Sequence, residues 1–413
     1  MSSETSKSVR VPALRFPEFE GEWERKKLGE VGNFVGGGTP ETNVNEYWQG
    51  NIQWFTPTEI KLDFVSKSVR TITELGLKKS SAKLLPKGTI LLTTRATIGE
   101  AAIATEECST NQGFQSLIVN EKNSNIYVFN WIKMNKAELL KRANGSTFPE
   151  ISKIEIEQIV ISLPSLPEQK RIASFFTVLD QKLTKLKQKK NLLAQYKKGV
   201  MQQLFSQALR FKADDGKDFP DWERKKLGEV GEFKNGINKS AEDFGHGFPF
   251  VNLMDVFGKQ TISNLNLDLV NATKTELQLY DLKKGDILFI RSSVKKSGVG
   301  ETSLILEDLP DTVFSGFLIR FRDERINLNI NFKKYCFANK NFRESLISLS
   351  TTSANTNINQ ESLKSLEIAI PVFEEQTKIA NFLSAIDEKI NQTQTQIQKT
   401  EHYKKGLLQK MFV

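Results

Sequence analysis

Only two cysteines and two histidines occur in 413 residues, and each scarcity removes a class of chemistry. Cys108 and Cys336 stand alone in their surroundings, so they read as buried thiols and not as a disulfide or metal pair. That usage fits a reducing cytoplasm. His246 and His402 have no cysteine nearby and lack metal-ligand spacing, so no metal site is expected. The sequence contains no G-x-x-x-x-G-K-[ST] and therefore no ATP-driven engine. The glycine-rich stretches at 36–40 and 298–300 complete neither a phosphate loop nor a dinucleotide fingerprint. The N-P-P-aromatic tetrapeptide of amino-methyltransferases is also absent. Pro220-Asp221 with Glu223 and Lys225 carries scattered nuclease letters at too short a spacing, and the Pro-Asp has no counterpart in the first half. No catalytic residue is expected. Long apolar runs are missing, so no membrane partner is expected. The start, Met1-Ser-Ser-Glu-Thr-Ser-Lys7, lacks the apolar core of a signal peptide.

What is present is a duplication. The decapeptide W-E-R-K-K-L-G-E-V-G occupies residues 23–32 and again 222–231. Glu168-Gln169-x-x-Ile172-Ala173-x-Phe175 returns as Glu375-Gln376-x-x-Ile379-Ala380-x-Phe382, and Tyr196-Lys-Lys-Gly199 returns as Tyr403-Lys-Lys-Gly406. The chain is two copies of one unit. Residues 1–13 are polar and unpatterned and read as a disordered tail. Short apolar runs at 52–55, 88–92, 114–119 and 159–163 read as strands, with a helical stretch at 127–143. Residues 285–291 answer 88–95, 316–321 answer 113–119, and 366–371 answer 159–164. This matching places Arg291 opposite Arg95.

Each copy ends in proline and then a long helical pattern with acids in its opening turn. In the first, Ile172, Leu179, Leu186, Leu193 and Val200 form one seam row; Phe176, Leu183 and Leu204 form the other, interrupted by Lys190 and Lys197. In the second, Ile379, Ile386 and Leu407 alternate with Thr393 and Thr400, beside Leu383, Ile390, Ile397 and Met411, broken by Lys404. Such sustained heptads predict a coiled coil. Connectivity predicts an antiparallel pair after a polar linker at 212–218, with a head at either end of a rod of roughly 60 Å and a pseudo-two-fold relation. The expected architecture is α+β: residues 1–13 as tail, 14–163 as the first mixed α/β domain, 164–210 as the first spacer helix, 211–370 as the second domain and 371–413 as the second helix.

The net charge of +9 is compatible with a lysine-rich surface or with a polyanion partner. Its distribution is uneven: residues 168–207 carry nine Lys/Arg against two acids, whereas 375–413 carry six against four. The loops hold Arg, Lys, Asn, Gln, Ser and Thr, which read base edges or hold phosphates. The candidates are Thr93, Thr94, Arg95, Asn111, Gln112, Ser146 and Thr147 in the first copy. In the second they are Asn235, Asn238, Lys239, Arg291, Ser292, Lys295, Lys296, Thr352, Asn355 and Asn357. Single polar loop residues equally serve as caps, and one of Arg95 and Arg291 would suit a structural ion pair.

The motifs F-P-x-W-E-x-x-x-L-G-E at 219–229, G-x-I-L at 88–91 and 285–288, and E-Q-x-x-I-A-x-F in both copies resemble the DNA specificity subunits of type I restriction–modification enzymes. The resemblance covers nearly the whole chain. It implies two target-recognition domains, each reading one half of a split sequence in double-stranded DNA, with a spacer set by the helices. It also implies partners: two modification subunits that bring S-adenosylmethionine and methylate adenine, and restriction subunits that bring ATP and Mg. No cofactor is expected on this chain. A stand-alone enzyme or a protein-binding scaffold are the alternatives.

Overall fold

A computed structural model of the chain describes residues 11–145, 149–263, 266–352 and 354–412. The described chain forms two compact units, Met1–Leu186 with Thr395–Val413, and Lys187–Gln394. Most of the expected tail, residues 1–10, lies outside the described residues, while Pro12 is buried.

Both units carry one sheet plan. In the first, five strands lie in the order Gly32–Gly36, Gln115–Val119, Ile90–Leu92, Ala101–Ala104, Phe64–Val65. Its three-stranded sheet runs Arg70–Ile72, Trp48–Phe55, Cys108–Thr110. The second unit repeats these as Glu232–Asn235, Leu318–Arg322, Ile287–Ile290, Thr302–Ile305, Thr261–Ile262 and as Asp268–Val270, Phe244–Val251, Val313–Phe314. Pairing is mixed: Trp48–Phe55 runs antiparallel to Arg70–Ile72 and parallel to Cys108–Thr110. The expected helix at 127–143 is two helices, Asn125–Met134 and Lys136–Lys141. The break falls at Asn135, whose side-chain amide donates to Trp131 O and satisfies a carbonyl at the helix end.

The repeated decapeptide is framework throughout. Its Glu24–Lys27 and Glu223–Lys226 strands pair antiparallel with Val160–Leu163 and Glu367–Ile370. Leu28, Val31, Leu227 and Val230 are fully buried. Glu30 and Glu229 accept from the backbone N–H of Lys27 and Lys226, capping the short helices that follow. A Cβ on Gly32 would lie 2.3 Å from Ile118 O, and one on Gly231 2.1 Å from Arg322 O. Only glycine permits that approach.

The Glu-Gln repeat also makes equivalent bonds inside each unit. Glu168 takes Arg15 through two bonds of 2.8 Å, and Glu375 takes Arg210 at 3.1 and 2.8 Å. Such bidentate charge-assisted pairs fix geometry as well as energy. Gln169 accepts from Ser124 N–H and Gln376 from Asn329 N–H, each the residue before a helix of the head. The duplication reaches further upstream than the decapeptide. Ala13-Leu-Arg-Phe16 equals Ala208-Leu-Arg-Phe211. Leu14 N–H donates to Lys410 O just as Leu209 N–H donates to Gln203 O.

The long helices span Leu166–Phe205 and Phe373–Met411, and each contributes to both units. Within each unit their segments pack antiparallel. In the first unit Asp180 meets Lys404 at 2.5 Å, with Phe412 over Tyr127 and Phe176. In the second, Lys197 meets Asp387 at 2.5 Å and Lys190 donates to Gln394. Every predicted seam residue is buried or half-buried. Of the three lysines in the seam, Lys197 and Lys404 each face a carboxylate from the opposite helix and Lys190 an amide oxygen, so they are not voids in the pattern. Thr393 and Thr400 are buried with their hydroxyls donating one turn back, to Lys389 O and Gln396 O. The linker expected at 212–218 is a tight turn, closed by Ala213 N–H on Lys217 O. Its Gly216 has φ +81°.

Candidate nucleic-acid interface

In the first unit, Thr94 N–H donates to Gly113 O, and Ile151 N–H donates to Thr94 O. These bonds bring three loops together. Gly38 N–H on Thr110 O adds a fourth, and Thr39 Oγ1 donates to Gln112 Oε1 at 2.6 Å. Gln112 and Arg95 are exposed at this cluster. Arg95 bonds Glu150 at 2.7 Å, which makes it the ion-paired member of the two arginines. Asn111 is half-buried, its Oδ1 accepting from Gly113 N–H. Thr93 is fully buried and its hydroxyl is used on Thr97 O and Glu100 O. Thr94 is buried as well. Both threonines are therefore corrected from readers to loop-closing residues. Ser146 and Thr147 lie outside the described residues.

The second unit builds the same junction. Arg291 N–H donates to Phe317 O, Ile358 N–H to Arg291 O, and Ile237 N–H to Phe314 O. A small sheet of Ser292–Ser293, Thr356–Asn357 and Thr351–Thr352 extends it, where the described residues of the first unit show bridges from Glu150 to Arg95 and Asn144. Arg291, Lys295, Lys296, Asn238, Thr352 and Asn355 are exposed here; Asn235, Ser292 and Asn357 are half-buried. Lys239 is not available. Its ammonium lies 2.8 Å from Glu276, with 13% of the side chain exposed. That hydrogen bond, helped by Thr273 N–H, holds the Glu276 carboxyl below its ordinary range.

Matching these bonds corrects the expected alignment of the copies. Thr94, not Arg95, occupies the place of Arg291, and Arg95 that of Ser292, since each then makes the same backbone contacts. Gly113 occupies the place of Phe317: the N–H of each donates to the side chain two residues earlier, Asn111 or Ser315. Gln112 then corresponds to Gly316, and Thr39 to Asn238. A Cβ on Gly316 would meet Asn238 Oδ1 at 2.0 Å, so Asn238 fills the space that Gln112 takes in the other copy.

Among the described residues, no group of three or more His, Cys, Asp or Glu could hold a metal ion. No helix among them is long and apolar enough to cross a membrane. Burial pushes the thiols of Cys108 and Cys336 up to about 12, which leaves them unreactive at neutral pH.

The sequence pattern of the family described as type I restriction modification DNA specificity domain matches residues 20–195 and again 220–402. The chain belongs to that family. A specificity subunit of the type I restriction enzyme MjaIX from Methanocaldococcus jannaschii is 34% identical over 52% of this chain and 53% of its own length. The chain thus matches about half of that relative. The MjaVIII specificity subunit of the same organism is 26% identical over 96% of this chain and 92% of its own. A crystal structure of the type I restriction–modification S subunit from M. genitalium superposes with a TM-score of 0.59, at 16% identity, covering 98% and 99% of the two chains. The fold is shared.

In this specificity chain the two family matches coincide with the two frameworks, and the loop clusters lie where the copies diverge. Sequence reasoning missed Thr39 and Phe317. The signal was present in the spacing. Counting six residues from Gly88 and from Gly285 pairs Thr94 with Arg291; matching arginine with arginine hid it.

Proposed function

We propose that this chain is the non-catalytic DNA-reading subunit of a type I restriction–modification complex, each unit recognising one half of a bipartite duplex sequence. The observation that carries this reading is that identical framework bonds support two loop clusters with different side chains at equivalent positions: Thr39, Gln112, Gly113, Thr94 and Arg95 against Asn238, Gly316, Phe317, Arg291 and Ser292. Shared framework with divergent loops is the economy expected of two readers with two targets. Arg, Asn and Gln supply the donor and acceptor pairs that distinguish bases in the major groove, and Lys295 and Lys296 suit phosphates.

Methylation of adenine with S-adenosylmethionine, and ATP- and Mg-dependent cleavage, would belong to modification and restriction subunits. The long helices suit docking of the modification subunits and would set the spacer between half-sites. Tyr196 and Tyr403 are more than half exposed, and a Cβ on Gly199 or Gly406 would meet nothing within 4 Å. A mid-helix glycine costs about 1 kcal/mol relative to alanine. Among the described residues no atom packs against either glycine, so close approach of a partner to the helix would account for that cost.

Selection from a pool of randomised duplexes by the complex with its modification subunits tests the function. A bipartite sequence with a fixed spacer is expected. Recovery of no preferred sequence from the intact complex would overturn it.

A further inference from the structure

The exposed ring of Phe317 stands out in the second unit. A phenylalanine 57% open to water on a backbone held this firmly is unusual for a simple surface loop. Its carbonyl accepts from Arg291 N–H at 2.8 Å and its N–H donates to Ser315 Oγ at 3.3 Å. On either side Leu318 is fully buried, and Gly316 N–H is tied to Ile237 O. The backbone is fixed while the ring is left outside. Val294, 84% exposed, lies in the neighbouring loop after Ser292–Ser293.

Arg291 is bonded to the same segment. Arg291 Nη1 reaches only Gly316 O, at 3.4 Å. Among the described residues no carboxylate pairs with Arg291, Lys295 or Lys296. An exposed apolar ring on the segment that holds an unneutralised guanidinium, with two further exposed lysines in the loop that follows Ser292–Ser293, is complementary to a polyanion that also offers flat apolar faces. Duplex DNA has both, and apolar side chains inserted at a base step are a known way of engaging it.

The first unit argues the same point by contrast. Gly113 takes the place of Phe317, and a Cβ there would lie 2.6 Å from Pro57 Cγ. No ring fits. Thr94, buried, takes the place of Arg291, and exposed polar side chains at the junction are Gln112 and Arg95, the latter paired with Glu150. Among the described residues, the ring and a guanidinium without a carboxylate partner occur together in the second unit, whereas the first has no ring there and its Arg95 is paired with Glu150.

We infer that Phe317, with Arg291 beside it, is a specificity-determining residue of the second unit, its ring contacting the face or methyl edge of a base in that unit's half-site while Arg291 bonds the adjoining base edge or phosphate. This rests on the DNA-reading function proposed above. It adds that the two units engage DNA differently, the second through an apolar contact and the first through polar groups alone.

The test uses the full complex with its modification subunits, and compares wild type, Phe317→Ala and Phe317→Leu by selection from randomised duplexes, with thermal melting as a control on folding. Because the ring is exposed, Phe317→Ala is expected to melt as wild type does. It should lose preference at one or two positions of a single half-site by about tenfold, the scale of one lost base contact, while the other half-site is read unchanged. Phe317→Leu should retain part of that preference. If wild type selects a bipartite sequence and Phe317→Ala selects the same one with equal preference, the inference is wrong and the DNA-reading function stands. Equal loss at both half-sites would likewise overturn it. If wild type selects nothing, the function itself fails.

Discussion

Lys197 looks like a flaw in the seam pattern, yet in the folded chain it pairs with the carboxyl of Asp387. Burial works to raise the pKa of Asp387, but hydrogen bonds from Lys197, Tyr335 and Lys334 together outweigh that and hold the carboxyl below its ordinary range. Because the folded value lies below the unfolded one, the stabilisation is present above the unfolded carboxylate value of about 3.9 and is lost as pH falls through the folded value. Replacing Asp387 with Asn should cost roughly 1–3 kcal/mol near neutral pH, the scale of hydrogen bonds to a charged group. It should also flatten the loss of stability below about pH 4, measured by urea denaturation across pH; a slope identical to wild type would remove Asp387 from the account. Individual loop residues were the least legible feature. Thr93 and Lys239 have the composition of DNA contacts, yet one closes a turn and the other neutralises Glu276. Nothing local in a sequence tells whether a polar side chain turns outward or completes its own loop.

Helices were legible because their signal is periodic and redundant. Each seam position repeats every seven residues, so the buried face survives interruption by Lys190, Lys197, Thr393, Thr400 and Lys404. The interruptions themselves required the fold, since the partner of Lys197 is 190 residues away in the chain. Strand positions followed from apolar runs, whereas the break at Asn135 depended on a side-chain bond that composition does not announce. Gly199 and Gly406 give a prediction at this scale. Gly406→Ala should stabilise the isolated chain by about 0.5–1 kcal/mol in thermal melting, yet weaken its binding to a modification subunit in titration calorimetry. Tighter or unchanged binding would remove the helix face around Tyr403 from the docking surface.

For the whole molecule, the duplication is the organising fact. It was visible as identical letters, and those letters proved to be where strands pair, helices are capped and the head meets its helix. Glu168 and Glu375 each clamp an arginine, and Gln169 and Gln376 each bind the backbone at the start of a head helix. Identity between copies therefore marks framework, apart from the exposed Tyr-Lys-Lys-Gly repeat of the helices. Under the function proposed, difference marks recognition, and it became legible at single positions only when equivalent hydrogen bonds replaced letter matching. The most direct measurement of that claim is sequencing of methylated sites in cells carrying a chimaera whose residues 14–163 come from another family member, alongside the native chain. One half of the methylated sequence should change, with the other half and the spacer kept. A change in both halves, or in neither, would contradict two independent readers on one framework.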